Sequence, residues 1–133
     1  MVFAPDVKAS RMAEEAAEIL GGGFGFFEKQ RDRVTGEITM RLAKGEASGR
    51  KAIIIDDIIS SGGTTAMAAR LLKEAGATQV FSACVHALLA GEAHNKIIGA
   101  GAEEIVGTDT ILSPVSKVSV APLIAEELRK YSK

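Results

Sequence analysis

The sequence contains a single cysteine, Cys84, among 133 residues. One cysteine excludes an internal disulfide framework and suits a reducing compartment, so we expect a cytoplasmic protein. No apolar run approaches the roughly 20 residues that span a bilayer, and the first residues lack the basic start and apolar core of a secretory signal. These absences argue against a membrane protein and against a secreted disulfide-rich domain.

Neither sign of charge is in excess. Sixteen basic and 17 acidic side chains give a formal net charge of −1. No sequence-wide basic surface is therefore available for nucleic acid or an anionic membrane, although a local anion site remains possible. With 47% hydrophobic and 25% charged residues, the composition is typical of a soluble globular protein, and we expect residues 1–133 to form one domain.

Apolar runs and segments of helical spacing alternate along the chain, with glycines between them. This alternation predicts an α/β fold in which a mostly parallel sheet is flanked by helices. The predicted helices are 8–20, 64–75, 93–98 and 122–131, and the predicted strands are 24–29, 37–42, 52–55, 79–85, 104–107 and 118–120. We expect mobile or turn segments at 30–36 and 58–63.

The strongest chemical signal is the segment IIIDDIISSGGTT at 53–65. Asp56 and Asp57 end an apolar run, and such carboxylates can accept hydrogen bonds from vicinal hydroxyls or hold a hydrated Mg²⁺. The following residues offer hydroxyls, glycines and free amides at the start of a predicted helix, which favours an anion. The same spacing is equally typical of an ordinary strand–loop–helix turn in which Ser60 or Ser61 caps the helix.

This segment resembles the phosphoribosyl pyrophosphate-binding signature of type I phosphoribosyltransferases. Other segments are similar to the ribose-phosphate pyrophosphokinase family within that group: FAPD at 3–6, EKQR at 28–31 with its Lys-x-Arg motif, VHALLAG at 85–91 and VGTDTI at 106–111. The resemblance covers nearly all of the chain and corresponds to the C-terminal half of that enzyme.

The resemblance implies the type I phosphoribosyltransferase fold and the transfer of a pyrophosphoryl group from MgATP to the anomeric hydroxyl of ribose 5-phosphate. It implies that Asp56 and Asp57 bind the ribose hydroxyls and their Mg²⁺, and that Asp6 helps to hold the Mg²⁺ of the nucleotide. Lys29 and Arg31 would act as catalytic residues, reaching from a mobile loop toward the transferring phosphates. The implied 5-phosphate site consists of Ser60, Ser61, Gly62, Gly63 and Thr64.

The implied partners are ribose 5-phosphate and ATP, with a homo-oligomer in the full-length enzyme and no nucleic acid or membrane. The family carries a domain of similar size before this one, with a histidine-bearing metal and nucleotide segment. The two histidines of this chain, His86 and His94, lie far downstream of that place. We therefore expect the isolated chain to bind the sugar phosphate and to have little or no kinase activity.

Two features depart from the family pattern. Ser60 and Ser61 stand where an aspartate and a threonine are usual. Ser60 cannot supply the charge of that aspartate, whereas phosphate binding by hydroxyls and amides is unaffected. The residues after Asp6 lack the usual glycines. These departures keep open a non-catalytic sugar-phosphate-binding or regulatory subunit, beside a small purine or orotate phosphoribosyltransferase whose base hood would have to lie at 24–27.

Several of these residues also have purely structural interpretations. Lys29 and Arg31 belong to a run of charges typical of a solvated loop, and Asp6 is well placed to cap the following helix. His86 and the residues 108–110 are more typical of a satisfied strand end and turn. Cys84 fits a small buried core position.

Overall fold

Seven strands form one sheet in the computed structural model, which describes residues 1–132. The strands are β1 (Val2–Ala4), β2 (Phe24–Arg31), β3 (Ile38–Lys44), β4 (Lys51–Ile59), β5 (Gln79–Ala87), β6 (Ala102–Thr108) and β7 (Ser116–Val118). The helices are a 3₁₀ turn at Val7–Ala9, α1 (Ser10–Leu20), α2 (Gly63–Glu74), α3 (Ala93–Gly99) and α4 (Ala121–Arg129).

The strand order is β3-β2-β1-β4-β5-β6-β7, and every neighbouring pair is parallel except the β2–β3 hairpin. The chain winds outward from β1 in one direction and from β4 in the other, so the order reverses between these two strands. Ligands bind outside the carboxyl ends of parallel strands at such a reversal. The predicted mostly parallel α/β fold is confirmed.

The helices lie on opposite faces because alternate residues of a strand point to opposite sides of the sheet. Ile54 belongs to the larger core, which α2 and α3 cover with residues such as Leu72 and Ile97. Its neighbour Ile55 packs against the smaller core, where Ala13 and Ala17 of α1 meet β1. α1 contacts β1, β2 and β4, so it covers only part of its face of the sheet.

Several predicted boundaries are wrong. The last strand, predicted at 118–120, forms at Ser116–Val118, and two further errors concern β4 and the β2–β3 hairpin. The strand predicted at 52–55 continues to Ile59, so Asp56 and Asp57 lie within β4 rather than after it. The mobile loop predicted at 30–36 is shorter, because Arg31 still belongs to β2 and pairs with Ile38 across the antiparallel hairpin. Polar residues carry no burial signal, and cross-strand hydrogen bonds extend both strands beyond the apolar pattern.

The helices are short. Among residues 1–132, none of them combines the length and apolarity needed to cross a bilayer.

Candidate functional site

A cavity of about 190 Å³ opens where the strand order reverses. It lies beside Asp6, which follows β1, and Asp56, near the end of β4. Its wall is completed by the residues that lead from β4 into α2 and by one lysine of β2: Lys29, Ile58, Ile59, Ser60, Ser61, Gly62, Gly63, Thr64 and Thr65. The cavity therefore has carboxylates on one side and a helix N-terminus on the other.

Free backbone amides dominate the helix side of the cavity. Gly62 caps α2 without any side-chain hydrogen bond, and the first helical bond runs from Ala66 N to the Gly62 carbonyl oxygen. Within residues 1–132, the amides from Ser61 to Thr65 have no protein acceptor. Five successive unpaired donors at the positive end of a helix form a strong binding site for a phosphate.

Gly62 is required for the shape of this loop. Its φ of +82° lies in the left-handed region, and an added Cβ would stand 3.0 Å from the Cβ of Ala93 at the start of α3. Glycine is the residue that adopts this conformation without strain and permits this approach. The predicted cap at Ser60 or Ser61 is wrong, because the chain turns one residue later and leaves both hydroxyls exposed.

The segment after β5 is hydrogen-bonded to the residues that lead from β4 into α2. The amide of Leu89 donates to the Ile59 carbonyl oxygen at 3.0 Å, and the amide of Ala90 donates to that of Ser60 at 2.9 Å. Leu89 itself has a φ of +48°, an unusual backbone conformation for a leucine. Backbone strain of this kind persists where the surrounding structure fixes it, commonly beside a functional site.

Lys29 reaches into the cavity from β2. Its Nζ donates a hydrogen bond of 2.9 Å to Oγ1 of Thr64 in the first turn of α2. Arg31 lies two residues farther along the same strand and is exposed outside the cavity lining. Glu28 points to the other face of β2 and pairs with Arg41 at 2.7 Å. Lys29 of the predicted Lys-x-Arg pair thus lines the cavity, and Arg31 does not.

The carboxylates of Asp6, Asp56 and Asp57 lie close enough to affect the pKa of Asp56. Burial is the main cause that raises the pKa of Asp56 from 3.8 to about 6, and the neighbouring Asp57 and Asp6 add to the shift. Oδ1 of Asp56 accepts the Asp57 amide at 2.9 Å, and Oδ1 of Asp57 accepts the Ile58 amide at 2.8 Å. Oδ1 of Asp6 accepts the Ala9 amide at 3.1 Å, so this residue does cap the following turn.

A divalent cation fits this arrangement. No three metal-ligating side chains within residues 1–132 come close enough to form a metal site by themselves. Mg²⁺ commonly takes only one or two carboxylates, with water and substrate oxygens completing its shell. Burial is the main cause of the raised pKa of Asp56 and the neighbouring carboxylates add to it, so a bound cation would offset both by favouring the charged carboxylate.

The structure brings most of the predicted site residues to one cavity. Asp6, Lys29 and Asp56 line it together with the whole segment from Ser60 to Thr64. Asp57 faces a neighbouring cavity instead, beside Asp6 and Lys8. Sequence reasoning missed Thr65, which is buried against the cavity, and Leu89, whose role depends on a contact between distant loops.

The structural interpretations of the remaining residues agree with the geometry. The hydroxyls of Thr108 and Thr110 donate to the Val85 carbonyl oxygen at 2.7 and 3.0 Å, and Nδ1 of His86 lies 2.8 Å from Thr110 Oγ1. Burial raises the pKa of the Cys84 thiol to about 11, so it stays neutral at ordinary pH. None of these residues lines the cavity beside Asp56.

Comparison with known proteins gives consistent similarities. The model of the phosphoribosyl transferase domain matches residues 1–116. Ribose-phosphate pyrophosphokinase of Sulfurisphaera tokodaii is 44% identical over 131 residues, which are 96% of this chain and 45% of that protein. Ribose-phosphate pyrophosphokinase 1 of Archaeoglobus fulgidus is 46% identical over 127 residues, 96% of this chain and 44% of that protein.

Among solved structures, phosphoribosylpyrophosphate synthetase from Mycobacterium smegmatis matches with a TM-score of 0.78 at 33% identity. The match covers 98% of this chain and 44% of that one. The chain therefore spans a little less than half the length of the relatives it resembles.

Proposed function

This chain belongs to the phosphoribosyl transferase domain family, and we propose that it carries the ribose 5-phosphate site of a ribose-phosphate pyrophosphokinase. Its curated relatives at 38 to 46% identity have that name. The observation that supports the assignment best is local: Asp56 and five successive residues with unpaired amides line one small cavity.

The two sides of the cavity match the two ends of a pentose phosphate. The amides from Ser61 to Thr65 would hold the 5-phosphate, with the hydroxyls of Ser60, Ser61 and Thr64 as further donors. Asp56 would accept hydrogen bonds from the ribose hydroxyls, with Asp57 beside it. Ser60 stands where an aspartate is usual in the family pattern. The serine therefore lacks a negative charge close to the proposed 5-phosphate and offers a hydroxyl donor in its place.

The proposed reaction transfers a pyrophosphoryl group. The oxygen of the anomeric hydroxyl forms a bond to the β-phosphorus of ATP while the bond from that phosphorus to the α,β-bridging oxygen breaks. AMP leaves with the bridging oxygen, and the hydroxyl proton passes to solvent. Such transfers depend mainly on positioning and on cations placed where negative charge develops. Lys29, which already enters the cavity, would supply one such cation, and Arg31 a second, bidentate one.

Mg²⁺ would neutralise phosphate oxygens and orient the substrates when bound. Asp56 would hold it on the sugar side, and Asp6 would contribute on the nucleotide side, where it lines both neighbouring cavities. Each carboxylate uses only one of its two oxygens to accept a backbone amide, Asp6 from Ala9 and Asp56 from Asp57. The second oxygen of each is therefore free for this role.

Turnover by the chain alone would require an ATP site in addition to the sugar-phosphate cavity. The sugar-phosphate cavity is built within one strand–loop–helix unit and its neighbours, so it needs no other domain. The relatives are about twice as long, and we propose that the ATP site of this reaction draws on groups beyond these 133 residues. The isolated chain should therefore bind the sugar phosphate and release little AMP.

Thermal unfolding with a ligand series tests the proposal. A ligand that binds only the folded state raises its stability by mass action. We expect ribose 5-phosphate and phosphoribosyl pyrophosphate to raise the Tm, ribose alone to leave it unchanged, and Asp56→Asn to reduce both shifts. Glu14→Gln, an exposed carboxylate change on α1, is the matched control. Failure of every pentose phosphate to shift the Tm would refute the site.

Assays of the same protein distinguish the competing functions. Pyrophosphate release from phosphoribosyl pyrophosphate with a free purine or orotate would favour a small phosphoribosyltransferase. The structure does not provide the expected base hood at 24–27, because these residues form part of β2 and Phe27 is fully buried. A non-catalytic subunit would bind the sugar phosphate without any dependence on Lys29.

A further inference from the structure

The connection from β5 to α3, residues 88–92, is bonded to the loop that leads from β4 into α2. Two successive amides of the connection donate to two successive carbonyl oxygens of the loop: Leu89 N to Ile59 at 3.0 Å and Ala90 N to Ser60 at 2.9 Å. None of residues 88–92 lines the cavity at the carboxyl ends of β1 and β4. The connection therefore acts on a ligand in this cavity only through the loop.

One of these two hydrogen bonds fixes the direction of an amide at the cavity. A peptide unit is planar and trans, so its carbonyl and its amide point in opposite directions. The carbonyl of Ser60 points to Ala90, which lies outside the cavity. The amide of Ser61 belongs to the same peptide unit and therefore points away from the connection. Ser61 lines the cavity and its amide has no protein acceptor within residues 1–132, so this donor is available to a bound anion.

Leu89 holds the connection in one conformation. It is the single residue other than glycine with a positive φ, +48°, among residues 1–132. This conformation is unfavourable for a leucine and persists where the surrounding structure fixes it. The side chain of Leu89 is partly buried and packs against the larger core, which supplies that fixation. Glycine would adopt the same φ without strain, but it would leave the connection without an anchor in the core.

The loop also has little room to move toward α3. Ala93, the first residue of that helix, is fully buried. A Cβ added to Gly62 of the loop would lie 3.0 Å from the Cβ of Ala93. Close packing and two hydrogen bonds thus define the position of the loop from the side opposite to the cavity.

We propose that Leu89 is a positioning residue for the bound anion: by anchoring residues 88–92 in the core, it holds the loop with the Ser61 amide directed at the cavity. An anion then meets a donor that is already oriented, and binding does not have to order the loop. This inference rests on the proposed function, which supplies ribose 5-phosphate as the anion. It adds a residue outside the cavity that sets the affinity within it.

Isothermal titration with ribose 5-phosphate and with inorganic phosphate tests the proposal, and urea unfolding checks the fold of each variant. Leu89→Gly should raise both dissociation constants about tenfold, because the unanchored connection no longer orients the loop. Leu89→Met keeps a side chain of similar volume in the core and should bind as the wild-type chain does. Leu88→Gly is the matched control and should leave both constants unchanged. Its side chain is 49% exposed, and its amide donates to His86 rather than to the loop.

Amide proton shifts distinguish positioning from a general loss of structure. Inorganic phosphate should move the amide protons of Ser61 and Gly63 downfield in the wild-type chain. The carbonyl of Gly62 accepts the Ala66 amide at 2.9 Å, so α2 alone sets the direction of the Gly63 amide. At saturating phosphate, Leu89→Gly should therefore reduce the shift at Ser61 and retain the shift at Gly63.

The possible results separate this inference from the proposed function. Wild-type affinity in a folded Leu89→Gly would overturn the inference alone, as would equal weakening by Leu88→Gly or an equal loss of both amide shifts. A wild-type chain that binds neither ribose 5-phosphate nor inorganic phosphate would refute the proposed function, and this inference with it. Leu89→Asn is the second variant if the glycine variant unfolds, because asparagine also tolerates the left-handed region and lacks the apolar anchor. It should show the same selective loss.

Discussion

Lys29 and Thr64 are 35 residues apart in sequence, yet a hydrogen bond of 2.9 Å joins the lysine Nζ to the threonine Oγ1. The contact spans β1, which lies between β2 and β4 in the sheet. It places a cation directly at the free N-terminus of α2, where a phosphate would bind. The hydrogen bond to Thr64 therefore holds the cation at the cavity although Lys29 itself is exposed.

Removing the Lys29 cation should weaken the binding of phosphoribosyl pyrophosphate more than that of ribose 5-phosphate. We expect Lys29→Ala to weaken phosphoribosyl pyrophosphate binding about tenfold, since a charge-assisted hydrogen bond to a phosphate oxygen is lost. Ribose 5-phosphate should lose less, because Lys29 would exchange its hydrogen bond to Thr64 for one to the pyrophosphoryl group, which ribose 5-phosphate lacks. Isothermal titration of both ligands measures the difference, with Arg33→Ala in the hairpin turn as the control. Equal losses would place Lys29 on the 5-phosphate instead.

The left-handed conformation of Gly62 should make it intolerant of substitution. Gly62→Ala should lower the free energy of unfolding by about 1 to 2 kcal/mol, because alanine at positive φ is strained and its Cβ would press on Ala93. Gly63→Ala is the neighbouring control: its Cβ would meet nothing within 4 Å, and its φ is not positive. Urea unfolding of both variants makes the comparison. Similar losses in the two would show that the loop conformation is not the cause.

One buried hydroxyl has no partner. Oγ of Ser82 is the single buried side-chain polar atom within residues 1–132 that lacks a hydrogen bond, and the residue is 1% exposed. Removing an unsatisfied buried polar group is favourable, so Ser82→Ala should raise the free energy of unfolding by about 1 kcal/mol. Ser48→Ala, at an exposed position, should change it little. A loss of stability in Ser82→Ala would mean that the hydroxyl finds a partner in solution, such as a buried water.

Much of this fold could be predicted from the sequence because glycines and apolar runs mark its elements. The run at 53–55 and the helical spacing after Thr64 placed β4 and α2 correctly, and these two elements carry the cavity beside Asp56. The end of β4 was predicted too early, since Asp56 and Asp57 interrupt the apolar pattern without interrupting the strand. Pairing with β5 sustains the strand there.

The candidate site was predicted less completely. The short motifs indicated the segment from Ser60 to Thr64, and the fold brings it to one cavity with Lys29. The contribution of Leu89 could not be predicted, because its amide bond to Ile59 joins segments whose proximity follows from the sheet order alone. The difference between Lys29 and Arg31 also depends on how far β2 extends past the cavity.

The protonation of Asp56 should govern both stability and binding. Its pKa is raised from 3.8 to about 6, so the folded state takes up a proton before the unfolded state does as the pH falls. For this group, stability therefore rises as the pH falls from about 7 toward 4, and the folded state is penalised above pH 6. Because the side chain is half-exposed, solvent screening reduces the penalty to about 1 kcal/mol.

Asp56→Asn should thus be more stable than the wild-type chain at pH 7.5 by about 1 kcal/mol and equally stable near pH 4. Urea unfolding at both pH values measures this, with Glu14→Gln as the control for loss of an exposed carboxylate. Mg²⁺ should raise the stability of the wild-type chain at pH 7.5 and not that of Asp56→Asn, because the cation would offset the repulsion from Asp57 and Asp6. An equal difference between the two proteins at pH 4 and pH 7.5 would show that burial and the neighbouring carboxylates do not raise the pKa of Asp56.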